Sequence, residues 1–170
     1  MNNDGFVFFW GIGDVKTVQK GCLSQWWPCG FEAGGVRYNC AEQYMMAMKA
    51  KTFADAEIFG KIMSTSKPKL IKSLGRQVKG FDERAWDAVK YDVVVDGNMA
   101  KFSQNPELKS FLLSTGDAKL VEASPVDRIW GVGLAEGSPL IRDKSRWEGQ
   151  NLLGKALMEV RARLRNGETR

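Results

Sequence analysis

The sequence contains no histidine. That absence removes the side chain that most often serves as a general base near neutral pH, the commonest nitrogen ligand for metals, and every Ser–His or Cys–His nucleophile pair. Proton transfer in such a chain falls to Glu, Asp, Lys, Tyr or Cys. Cysteine is scarce as well: Cys22, Cys29 and Cys40 are an odd count spaced like neither a zinc site nor a redox pair. Free thiols are therefore expected instead of a disulfide framework, and neither a metal nor another cofactor is expected. No run of eighteen apolar residues exists, and the N-terminus lacks a basic region followed by an apolar segment and a small-residue cleavage site. These absences predict a soluble, cytoplasmic protein that does not engage a membrane. No repeat or low-complexity segment is visible.

What is present fits one domain. A chain of 170 residues with 44% hydrophobic residues can bury a real core and is too short to expect two, so residues 1–170 are read as a single domain. The net charge of +5 is a weak pointer to an anionic partner. Lys61, Lys67, Lys69, Lys72, Arg76 and Lys79 make the middle third of the chain its most basic. A solvated helix face explains such a run, and a phosphate surface is the sharper reading. Within it Gly75–Arg76 stands out, because glycine permits close backbone approach and an arginine fork matches a phosphate.

Local signals place the elements. Phe6 to Trp10 is an aromatic and β-branched run ended by glycine, as a buried strand would be. Gly34–Gly35 between Phe31 and Tyr38 predicts a hairpin. Helices are expected over residues 54–63, after Pro68, after Asp82, after Asn105–Pro106 and from near Asn151, where Leu153, Leu157, Val160 and Leu164 form one apolar face. Val93 to Val95 leaves a strand open inside the long helix after Asp82. Lys119 to Ala123 reads as a short strand.

Two stretches carry candidate chemistry. Tyr38 to Phe53 has high helix propensity, with Asn39 placed to cap it. Glu42 and Lys49 lie seven residues apart, so they project from nearly one face, about 10 Å apart along the axis. The plainer explanation is a capping box, with Glu42 reaching back to the Asn39 cap, and a solvated Lys49. Ser124 to Gly137 lacks a regular period and reads as a loop in which Asp127 and Trp130 lie three residues apart beside Gly131 and Gly133. It can hold a planar base beside a carboxylate, or be a turn-capping Asp next to a buried Trp.

Four blocks in series, A-E-Q-Y-M-M-A-M-K-A from Ala41, A-K-F-S-Q-N-P-E-L from Ala100, L-V-E-A-S-P-V-D-R-I-W-G-V-G from Leu120 and W-E-G-Q-N-L-L-G-K-A-L-M-E-V-R from Trp147, resemble the YbiA-like or NADAR family over roughly residues 6 to 165. The resemblance implies an α+β, predominantly helical compact domain with a small sheet. It also implies an N-glycosidase that cleaves a ribose–nitrogen bond, in ADP-ribosylated guanine or in phosphoribosylaminopyrimidine intermediates of riboflavin synthesis. By the family's pattern Glu42, Lys49 and Asp127 are the catalytic candidates, and Arg76, Trp130 and Asn151 the substrate-binding ones. The Ser24 to Trp27 region departs from that pattern, which bears on the substrate. Two other classes compete: a non-catalytic reader of ADP-ribose or nucleotide, and a basic nucleic-acid-binding module relying on Lys61 to Lys79.

Overall fold

The computed structural model describes residues 5–168. It is an α+β protein, predominantly helical, and its chain divides into two units: residues up to 24 together with those from 106 onward, and residues 25–105.

In the first unit, β1 (Phe6–Phe9) pairs in parallel with β4 (Lys119–Glu122), in register from Phe6 opposite Lys119 to Phe9 opposite Glu122. Residues two apart on a strand share a face, and the Phe6 and Phe8 rings accordingly stack at 5.4 Å. Phe8, Val121, Ala123, Val132 and Ile141 form a core cluster, with Phe6, Leu134 and Trp147 packed against it. Helix α5 (Pro106–Ser114) precedes β4, and α6 (Leu152–Arg165) packs on β4 through the buried Leu153, Leu157, Val160 and Leu164. That is the apolar face expected from the sequence.

The second unit begins with the hairpin β2 (Phe31–Ala33) and β3 (Val36–Tyr38), a second two-stranded sheet where one small sheet was expected. Gly34 and Gly35 both adopt left-handed φ, +58° and +73°, which the two-residue turn requires and glycine supplies without strain. The hairpin delivers the chain into α1 (Ala41–Thr52), followed by α2 (Ala56–Met63), α3 (Pro68–Gly75) and α4 (Glu83–Gln104). Asp55 and Asp82 cap α2 and α4 through side-chain bonds from the Ile58 and Ala85 N–H groups. Val93 to Val95 are helical: Val94 and Val95 are buried, as is every residue from Gly97 to Phe102, and that burial overrides the β-branched preference.

Helix α1 packs against α2, α3 and α4, so Ala41 to Ala47 and Ala50 are all buried. It has no clear polar face. Its polar residues must therefore be satisfied internally, and Gln43 shows how: its Nε2 donates to the Ile62 and Thr65 carbonyls, each at 3.0 Å, and its Oε1 accepts from the Asn39 N–H at 2.9 Å. Gln43→Leu keeps the volume and strands these partners in the interior. A loss of about 1–3 kcal/mol is expected, read as a lower urea midpoint with unchanged m-value.

Candidate active site

The start of α1 corrects the capping-box reading. The N-cap is Cys40, not Asn39, and the side chain that reaches back to an N–H before the helix is that of Gln43. Glu42 sits in the first turn, 4% exposed, and the Asn39 N–H that a capping box would give it is bonded by Gln43 instead. Its own N–H donates to the Gln25 carbonyl at 2.9 Å, and the Gln25 side-chain oxygen accepts from Asn98 Nδ2 at 2.8 Å. Gln25, Glu42 and Asn98 are all buried, which makes this a polar patch inside the second unit. Placement of a carboxylate in a helix's first turn suits the partial positive charge there.

Two turns on, Lys49 is half-buried, and its ammonium lies 4.1 Å from the centre of the Phe81 ring. Burial, and secondly the neighbouring Arg76 guanidinium, hold its pKa below the ordinary lysine value. Arg76 itself is exposed at the end of α3, with its charge beside the amine. Gly75, read from the sequence as a possible close approach to a ligand, instead makes room for the fold: a Cβ there would fall 2.0 Å from Met46 Sδ on α1.

In the first unit, Asp127 Oδ1 accepts from the Ile129 and Trp130 N–H groups at 2.9 and 2.8 Å, and the Asp127 N–H donates to Ser124 Oγ at 3.1 Å. The carboxylate shapes the turn and leaves the Trp130 ring half-buried. Gly131 belongs to the same tight loop, since a Cβ there would meet the Asp127 carbonyl at 2.9 Å. Asn151 is buried in a left-handed conformation, φ +53°. Its Nδ2 donates to the Leu120 carbonyl at 2.9 Å and its Oδ1 accepts from the Glu122 N–H at 3.0 Å. Both polar ends of its amide are bonded to β4.

Sequence reasoning passed over Lys101, which is fully buried in the last turn of α4. Its only outward sign was its place in the A-K-F-S-Q-N-P-E-L block. The three cysteines are free thiols, as expected, and burial pushes the Cys40 thiol up to about 11. Among the described residues no three Cys, Asp or Glu side chains gather as a metal site would need, and no helix is long and apolar enough to cross a membrane.

An α+β protein that carries a buried carboxylate and a desolvated amine on one helix, and no histidine, has the groups of an acid–base and amine-dependent enzyme. The chain belongs to the NADAR domain family, whose profile matches residues 8–165. It is 46% identical over 166 residues to N-glycosidase R617 of Acanthamoeba polyphaga mimivirus, covering 95% of this chain and 97% of that protein. N-glycosidase YbiA of Escherichia coli K12 is 33% identical over 138 residues, 81% of this chain and 76% of its own. The NMR structure of E. coli YbiA superimposes with a TM-score of 0.79 at 28% identity, covering 98% of this chain and 89% of that one. The chloroplastic riboflavin biosynthesis protein PYRR of Arabidopsis thaliana matches 74% of this chain at 35% identity, within 17% of its own length.

Proposed function

We propose that this protein is a cytoplasmic N-glycosidase that hydrolyses a ribose–nitrogen bond, with Lys49 as the nucleophile and Glu42 as the proton-transferring group. The observation that carries this reading is the pairing, on one helix, of a half-buried amine of lowered pKa with a buried carboxylate in the first turn. Relatives named as N-glycosidases support the bond type. The family profile runs through both units, which supports reading residues 8–165 as one domain.

Chemically, the neutral Lys49 amine gives its lone pair to C1′ of the ribose. The bond from C1′ to the base nitrogen breaks, and its electron pair leaves with the base. Glu42, a carboxylate at rest, takes up the proton released by the attacking amine through water and passes it to that nitrogen. The nitrogen lone pair then expels O4′ from C1′, O4′ takes a proton from water, and a protonated Schiff base forms on Lys49, with the resulting hydroxide neutralised by the proton released when water later adds. Water adds to its carbon, the bond to Nζ breaks, and sugar and amine are regenerated with one water consumed. The exposed Arg76 fork suits a substrate phosphate and also keeps part of the Lys49 population neutral. Within the first unit, the half-buried Trp130 ring has the shape to stack on a planar group, and Asp127 holds the turn that presents it. The Asn151 amide, bonded to β4 at both ends, serves the scaffold.

The test is chromatographic. The purified full chain, without added metal, is incubated separately with guanine-ADP-ribosylated nucleic acid and with phosphoribosylaminopyrimidine intermediates. Release of sugar and base from one substrate is expected. Release from neither, together with saturable binding of ADP-ribose, would replace the enzyme reading with that of a binding module. Binding to plain nucleic acid that falls steeply with salt and ignores Glu42 would replace it with the basic nucleic-acid module.

A further inference from the structure

Among the described residues Lys101 is the one lysine that is 0% exposed, and most of the other basic residues there lie at the surface. An ammonium fully removed from water is costly unless an opposite charge and hydrogen bonds compensate it. The Phe102 ring, its centre 5.0 Å away, supplies only part of that compensation. The surrounding hydrogen bonds join its end of α4 to the start of α1. Asn98, three residues earlier and hence on the same face of α4, donates to the Gln25 side chain, and Gln25 accepts the Glu42 N–H. Asn105 Nδ2 donates to both the Lys101 and Gly30 carbonyls, and the Cys29 N–H donates to the Asn39 carbonyl. The 29–30 segment is thereby tied to the end of α4 on one side and to the start of α1 on the other. A cation in the last turn of one helix and a carboxylate in the first turn of another each suit the local helix dipole.

We propose that Lys101 is the counter-ion that keeps Glu42 an ionised, oriented carboxylate, a positioning residue for the reaction and not a group that touches substrate. This rests on the reading of Glu42 as the proton-transferring group. The Cys40 thiol lies within the field of both: after the effect of burial, Glu42 pushes its pKa up and Lys101 pulls it down. Of the other titratable groups on the elements packed against α1, the buried Lys90 of α4 pairs with Asp87. Arg76 acts on Lys49, Tyr38 pairs with the Tyr44 ring, and Asp55 bonds the Ile58 and Lys79 N–H groups. Cys29 is the remaining neighbour of Cys40, and burial holds its thiol protonated.

The experiment follows the Glu42 carboxyl signal by 13C NMR in the full chain, assigned by its loss in Glu42→Gln, while pH is varied. Lys101→Met is expected to raise the Glu42 midpoint by about one to three units. It should also lower kcat at neutral pH about tenfold or more with little change in KM, and Lys101→Arg should restore both. A purely structural lysine would lower stability without moving that midpoint, so an unmoved midpoint in folded Lys101→Met overturns the proposal. If Lys101→Met does not fold, the double variant Lys101→Met/Glu42→Gln is expected to fold because both buried charges are gone. Failure of the double variant to fold overturns the proposal too. Full turnover by Glu42→Gln would instead sink the proton-transfer reading, whatever the titration shows.

Discussion

Lys49→Ala is expected to lower kcat by at least on the order of 10³-fold, because removing a nucleophile removes the whole covalent route and not one contact within it. The same variant should lose the adduct that borohydride traps between wild-type protein and sugar. Lys49→Arg should be nearly as inactive, since a guanidinium keeps the charge and cannot donate a lone pair at neutral pH. Retention of both turnover and adduct in Lys49→Ala would end the Schiff-base assignment. The pH dependence follows from the direction of the Lys49 shift. The amine must be neutral to attack, so the rate should rise with pH through its folded pKa. Burial and Arg76 lower that pKa, which moves the rise to lower pH than an ordinary lysine would give. Arg76→Gln removes the second cause and leaves burial, so the rise moves part of the way back. Each unit recovered lowers the neutral fraction near pH 7 about tenfold. For stability the sign is linked: a lysine with a depressed folded pKa binds fewer protons folded than unfolded in the window between the two values. Its contribution to stability therefore increases as pH rises through that window.

Glu42→Gln is expected to lower kcat about 10²–10⁴-fold, the usual contribution of a positioned acid–base group, and to lower the unfolding midpoint as well, because the buried Lys101 ammonium loses its counter-charge. The substitution is nearly isosteric, and the Asn39 N–H keeps its acceptor, Gln43 Oε1. Loss of turnover in a folded Glu42→Gln protein therefore reports chemistry. A variant with wild-type turnover would return Glu42 to a structural role, and single-turnover assays beside circular dichroism separate the two.

Much of the fold was legible because its signals are local. Gly34–Gly35 set a hairpin through backbone freedom alone, and Asp82 capped α4 where the sequence placed it. The spacing of Leu153, Leu157, Val160 and Leu164 gave the buried face of α6. The candidate site was legible only as residue types. Asn39 and Glu42 have the spacing of a capping box, and only the extended backbone of Cys40, φ −165°, moves the cap by one residue and hands the back-bond to Gln43. Lys101 looked like any helical lysine. It is buried where Asn105 ties the end of α4 to Gly30, some seventy positions away in the chain.

The sequence by itself determined the secondary elements, the family and the absence of histidine chemistry, because propensity, capping and motif order are properties of neighbouring residues. Tertiary structure alone decided the state of each charge. It buried Glu42 and Lys101, and it set Lys49 against Phe81 and Arg76. It also bound both ends of the Asn151 amide to β4. Desolvation and Coulomb fields depend on distance in space, and no spacing along the chain encodes that distance.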